Sequence, residues 1–104
     1  MTEFKTAILD MIKEIKESFT EKTYYGLIDL LRNVCEEIKN DDLYWVVYDY
    51  CEYVEKNHEE YTHSVQSREA LGLKQNEELL RGIVDDVIAY SNAVTEQIEN
   101  DFDC

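Results

Sequence analysis

Apolar side chains recur at helical spacing in four stretches of the chain, which predicts four amphipathic helices. In the first, from about Glu3 to Phe19, a stripe is formed by Phe4, Ile8, Met11, Ile12, Ile15 and Phe19, with Thr2 as N-cap. The second runs from about Glu21 to Lys39 behind a Ser18 or Thr20 cap, with Tyr24, Leu27, Ile28, Leu31, Val34, Cys35 and Ile38 facing inward. Asn40 and Asp41 form a tight break, and Asp41 or Asp42 starts a third helix that reaches Tyr61. Its inward set is Leu43, Val47, Tyr50, Val54 and Tyr61. From Thr62 to Gln75 the periodicity weakens around Ser64, Ser67, a short apolar patch (Ala70, Leu71, Leu73) and Gly72. This predicts a loop with room for one short helical turn. Asn76 caps a last helix to about Asn100, with Leu80, Ile83, Val84, Val87, Ile88, Val94 and Ile98 inward and a frayed tail from Asp101 to Cys104.

Two short connections and one longer one imply an all-α fold, a four-helix antiparallel bundle in a single domain over residues 1–104. Absence of proline and the presence of only three glycines agree with long helices. The spacing of Leu80, Val84, Val87, Ser91, Val94 and Ile98 also suits the seam of a dimeric coiled coil, so a homodimer is a second expectation.

Charge narrows the range of partners. Among 104 residues, 24 are Asp or Glu and 10 are Lys or Arg, a formal net charge of −14, while 44% are apolar and sufficient for a core. Such a field repels nucleic acid and anionic membranes and draws basic proteins from a distance. From Asp41 to Glu60 the acids are Asp41, Asp42, Asp49, Glu52, Glu55, Glu59 and Glu60, against Lys56 alone. Met1–Ile12 has charged residues among its apolar positions and does not read as a signal peptide. Three cysteines without CxxC spacing read as reduced thiols, with Cys35 and Cys51 half buried on helices. The expected location is the cytoplasm, that of the host cell if the chain is phage-encoded.

No catalytic, cofactor or metal residue is assigned. Two Glu-x-x-His spacings occur, Glu55 with His58 and Glu60 with His63, but both lie in one segment and point in different directions. His58 and His63 are five apart, so they cannot act as the histidine pair of HExxH. Cys51 and His58 share a helix side, and a buried thiol beside a solvated histidine is the simpler reading. Neither GxSxG nor a Gly-rich phosphate loop is present, and an enzyme is not expected.

The aromatics carry more information. Of eight tyrosines, several cluster at Tyr24–Tyr25 and at Tyr44, Tyr48, Tyr50, Tyr53 and Tyr61. Tyr50, Tyr53 and Tyr61 are expected to pack into the bundle. With residues about 100° apart, Tyr44, Trp45 and Tyr48 turn away from the core direction and join Asp41, Asp49, Glu52 and Glu59. Asp49, Glu52, Glu55 and Glu59 advance by about one helical turn each, roughly 5 Å. That interval is comparable to the phosphate spacing along a nucleic-acid strand, so the row can occupy a groove lined with arginines and lysines. A solvated outer face is the plain alternative for the acids alone.

In size, charge and helicity the chain resembles small acidic helical antagonists: phage-encoded anti-CRISPR proteins, restriction inhibitors and the immunity proteins that neutralise nuclease bacteriocins. The likeness rests on no motif. Nuclease-colicin immunity proteins carry a Tyr-Tyr-Pro element after their second helix, which this proline-free chain lacks. The expectation is an inhibitor of DNA-mimic type that blocks a basic protein, a nuclease or other nucleic-acid-binding protein. Its partner-binding residues would be Asp41, Tyr44, Trp45, Tyr48, Asp49, Glu52, Glu55 and Glu59. The alternative is a helical homodimeric adaptor or structural protein with no inhibitory role, in which helix three, with Tyr44, Trp45 and Tyr48, forms the dimer seam and the acids keep the assembly soluble.

Overall fold

The computed structural model describes residues 2–20, 24–37 and 41–102. These form four helices: α1 (Thr2–Ser18), α2 (Tyr24–Glu37), α3 (Asp41–Ala70) and α4 (Glu77–Asp101). α1 packs on α2 and α4, and α3 packs on the same two neighbours, so α1 and α3 face each other across the core. This is the expected antiparallel bundle. Two lysines bridge α1 to α4 at the surface: Lys5 Nζ donates to the Glu99 carbonyl at 3.2 Å and Lys16 Nζ to Asn92 Oδ1 at 3.0 Å.

The core follows the apolar stripes. Ile8, Ile12, Ile15 and Phe19 of α1 meet Ile28, Leu31 and Cys35 of α2, Leu43, Val47, Tyr50, Cys51 and Val54 of α3, and Ile83, Val87, Val94 and Ile98 of α4. Cys35 and Cys51 are fully buried rather than half buried. Burial pushes their thiols up, to about 11 and about 12, so both stay protonated at neutral pH. Tyr61 is half buried, and Val87, Ser91, Val94 and Ile98, part of the expected dimer seam, are enclosed within the monomer's own core.

The main correction concerns α3. The stretch from Thr62 to Ala70, expected to be part of a loop, continues the helix to a total of 30 residues. A Schellman motif ends it: Gly72, at φ 68°, donates to the Glu69 carbonyl at 3.1 Å, and Leu73 donates to the Arg68 carbonyl at 2.9 Å. Gln75 Nε2 reaches back to the Val65 carbonyl at 3.0 Å, and Arg68 holds the Lys74 carbonyl at 3.0 Å. The connection is thereby reduced to residues 71–76. Asn76 then caps α4 as expected, its Oδ1 accepting from the Leu79 amide at 3.2 Å. At 1.5 Å per residue α3 is about 45 Å long and α1 about 25 Å. The ends of α3 and α4 therefore project past α1 as a two-helix hairpin, and the molecule measures 51 × 21 × 18 Å.

Smaller differences lie at the ends. Thr2, expected as a cap, is already helical. Phe102 ends α4, donating its amide to the Ile98 carbonyl at 3.3 Å and packing against the core where fraying was expected. The expected start of α2 at Glu21, its end at Ile38 and Lys39, the Asn40 break and Cys104 lie outside the described residues, as do the side chains of Tyr24 and Tyr25.

Candidate partner-binding surface

α3 is amphipathic over its first five turns, and that pattern orients the candidate residues. With Leu43, Val47, Tyr50 and Val54 in the core, helical geometry sends residues 41, 45, 49, 52 and 59 to the far side. Asp41, Asp49, Glu52 and Glu59 are exposed, and Trp45 is 57% exposed. Tyr44 and Tyr48 are half buried along the edge nearest α2.

The three aromatics form one cluster. Tyr44 and Tyr48 are stacked at 5.9 Å and 24°, and Trp45 meets Tyr44 at 5.3 Å and Tyr48 at 5.6 Å, in each case nearly perpendicular. Edge-to-face contacts of this kind favour a fixed arrangement of the rings. The Glu52 carboxylate one turn along favours the protonated Tyr48 phenol by hydrogen bonding and by charge, and so raises it above its ordinary range.

Glu55 departs from the expected row of free acids. Its Oε1 lies 3.0 Å from Nη1 of Arg32 on α2, with both side chains partly buried. The same guanidinium stands over the Tyr48 ring, 5.3 Å from its centroid. Partial burial works against the charged guanidinium, and the hydrogen bond and charge of Glu55 outweigh it, so the pKa of Arg32 is raised. Of the five acids expected to contact a partner, Asp41, Asp49, Glu52 and Glu59 face solvent, and Glu55 is committed to its own chain.

On the other flank of α3, Tyr90 stacks on Tyr53 at 4.4 Å and on Tyr50 at 5.8 Å. Tyr53 and Tyr90 are half buried, which agrees with the packing expected for Tyr50 and Tyr53. Tyr90 itself was not legible as part of this ladder. It occupies an α4 position flanking the inward stripe, and only the α3–α4 register aligns it with Tyr53.

The histidines behave differently from each other. His58 is buried, 7% exposed, rather than solvated, with its ring edge-on to Phe19 at 5.7 Å. Burial lowers its pKa, partly countered by Glu59. His63 is exposed. Among the described residues no group of three His, Cys, Asp or Glu side chains converges to hold a metal ion. A cleft where α1 ends, lined in part by Thr20, His58, Glu59, Tyr61, Thr62 and Val65, runs along the flank of α3 and reaches the outer row only at Glu59, without Trp45 in its lining. No helix among the described residues is long and apolar enough to cross a membrane. No protein-family model, curated protein or solved structure matches the chain.

Proposed function

We propose that the protein is a non-enzymatic inhibitor that binds a basic nucleic-acid-handling protein through the outer face of α3. The observation that carries this reading is the exposure of Trp45 beside Asp41, Asp49, Glu52 and Glu59 on one rigid helix. Trp45 stands at the exposed end of a packed cluster with Tyr44 and Tyr48, and tryptophan and tyrosine are among the side chains most often found at the energetic centre of an interface. The net charge of −14 speeds encounter with a cationic surface, and the aromatic cluster slows dissociation. Acids spaced along α3 would stand where a nucleic-acid backbone otherwise lies.

The test is capture of the partner from the native cell lysate, followed by competition. Added protein displaces nucleic acid from the captured partner, and the affinity falls steeply as salt rises. Trp45→Ala weakens the complex by about 2 kcal/mol or more while leaving the fold unchanged. Affinity that ignores both salt and this substitution would refute the proposal.

A second reading, self-association as an adaptor, is favoured by a different observation. Leu71, Leu73 and Leu79 are 72%, 53% and 49% exposed at the end of the α3–α4 hairpin. Sedimentation with Leu71→Asp separates the readings: a dimer dissolved by this change, and untouched by Trp45→Asp, supports the adaptor.

A further inference from the structure

The chain already holds one arginine on this face, and the way it does so identifies the ligand that the neighbouring positions fit. Arg32 is gripped by an aromatic ring and a carboxylate seven residues apart on α3: Tyr48 lies beneath the guanidinium and Glu55 bonds to its edge. Seven residues are close to two helical turns, about 10 Å, and stay on one side of the helix. Trp45 and Glu52 repeat that spacing three residues earlier, rotated toward solvent. Both are exposed, and Trp45 is packed edge-on to Tyr48. Asp49, one turn from Trp45, adds a second exposed carboxylate.

We propose that Trp45 and Glu52, flanked by Asp49, form a second guanidinium site whose occupant is an arginine on the partner protein's surface. This rests on the blocking role proposed above and narrows the partner to one that presents arginine rather than lysine. A guanidinium is flat, weakly hydrated and able to stack on indole while donating two parallel hydrogen bonds to a carboxylate. A lysine ammonium matches the charge but neither stacks as a plane nor forks. Tryptophan is also the strongest cation–π ring, so this second site is chemically better suited to arginine than the one that holds Arg32.

Trp45 is the sole tryptophan, so its fluorescence reports this site directly. Purified protein is titrated with oligo-arginine and oligo-lysine peptides of equal length and charge at fixed ionic strength. The expected result is a change in Trp45 emission with oligo-arginine and an affinity about fivefold or more above that for oligo-lysine. Glu52→Gln abolishes the preference, while Glu96→Gln, which makes the same charge change on the outer face of α4, retains it. Equal affinities, an unchanged emission, or a preference that survives Glu52→Gln overturns the assignment. Nucleic-acid displacement by the protein alongside equal peptide affinities would remove the arginine site and leave the blocking role standing. An arginine preference without any displaced nucleic acid would do the reverse.

Discussion

Tyr50 Oη lies 2.7 Å from Ser91 Oγ, joining α3 to α4 through a hydrogen bond from which water is excluded at both ends. A phenol of this size is tolerated in the core because the hydroxyl of Ser91 meets it. Burial raises the Tyr50 phenol far above its ordinary range despite that bond, so it stays neutral throughout the pH range of a folded protein. Ser91→Ala strands the Tyr50 hydroxyl and is expected to destabilise by about 1–3 kcal/mol. Tyr50→Phe should cost less, because Ser91 can turn its hydroxyl to the carbonyl four residues back. A urea-denaturation double-mutant cycle checks this, and the double variant should lose clearly less than the sum of the single ones.

The Arg32–Glu55 pair is expected to matter little for stability. Both side chains keep contact with solvent, at 27% and 33% exposure, so Glu55→Gln should cost less than about 1 kcal/mol. Its effect on the surface should be larger. Loss of the ionic contact frees Arg32 from the face of the Tyr48 ring, which is read as a change in the aromatic NMR shifts of Tyr48 and Trp45 at unchanged unfolding midpoint.

Gly72 ends α3 with a positive φ that lacks a favourable counterpart for residues with a Cβ. A Cβ at this position meets no neighbouring atom, so the cost is conformational rather than steric crowding against a neighbour. Gly72→Ala should destabilise by about 1–2 kcal/mol. Hydrogen exchange localises the loss: the Gly72 and Leu73 amides, which close the Schellman motif, should lose protection, whereas Val47 and Val54 should not.

His58 gives the fold a dependence on mild acid. Its folded-state pKa lies below the ordinary 6.5 because burial disfavours the charged ring. The unfolded chain therefore binds the proton first. The contribution of His58 to stability is complete above about pH 6.5 and is lost as pH falls through the lower, folded value. An NMR titration should place the His58 midpoint below 6.5. Denaturation at pH 7.5 and 5.5 should show a larger loss for the native chain than for His58→Phe, a comparison that subtracts the opposing gain from protonating crowded carboxylates.

Much of this architecture is a property of local pattern. Apolar residues at helical spacing specify which side of each helix is buried, since a helix's faces follow from its own periodicity and need no knowledge of its neighbours. That is why the outward placement of Trp45 and its acids was legible, along with Asn76 as the cap of α4. Between Thr62 and Ala70 the same logic failed, because a helix that packs against one neighbour only needs few apolar residues to mark it. Gly72 was the available signal, the left-handed residue that closes a helix, and it stands in the sequence where the Schellman motif forms.

What tertiary structure alone decided is what crosses between helices. Arg32 and Glu55 are 23 positions apart, and nothing local to either says that they meet. The same holds for Tyr90 on Tyr53, for Ser91 under Tyr50, and for the sealing of His58 against Phe19. Each depends on the relative register of two helices, which is set by the packing of the whole core and not by any one segment. A helix's sequence determines its faces; only the assembled bundle determines which side chains those faces bring together.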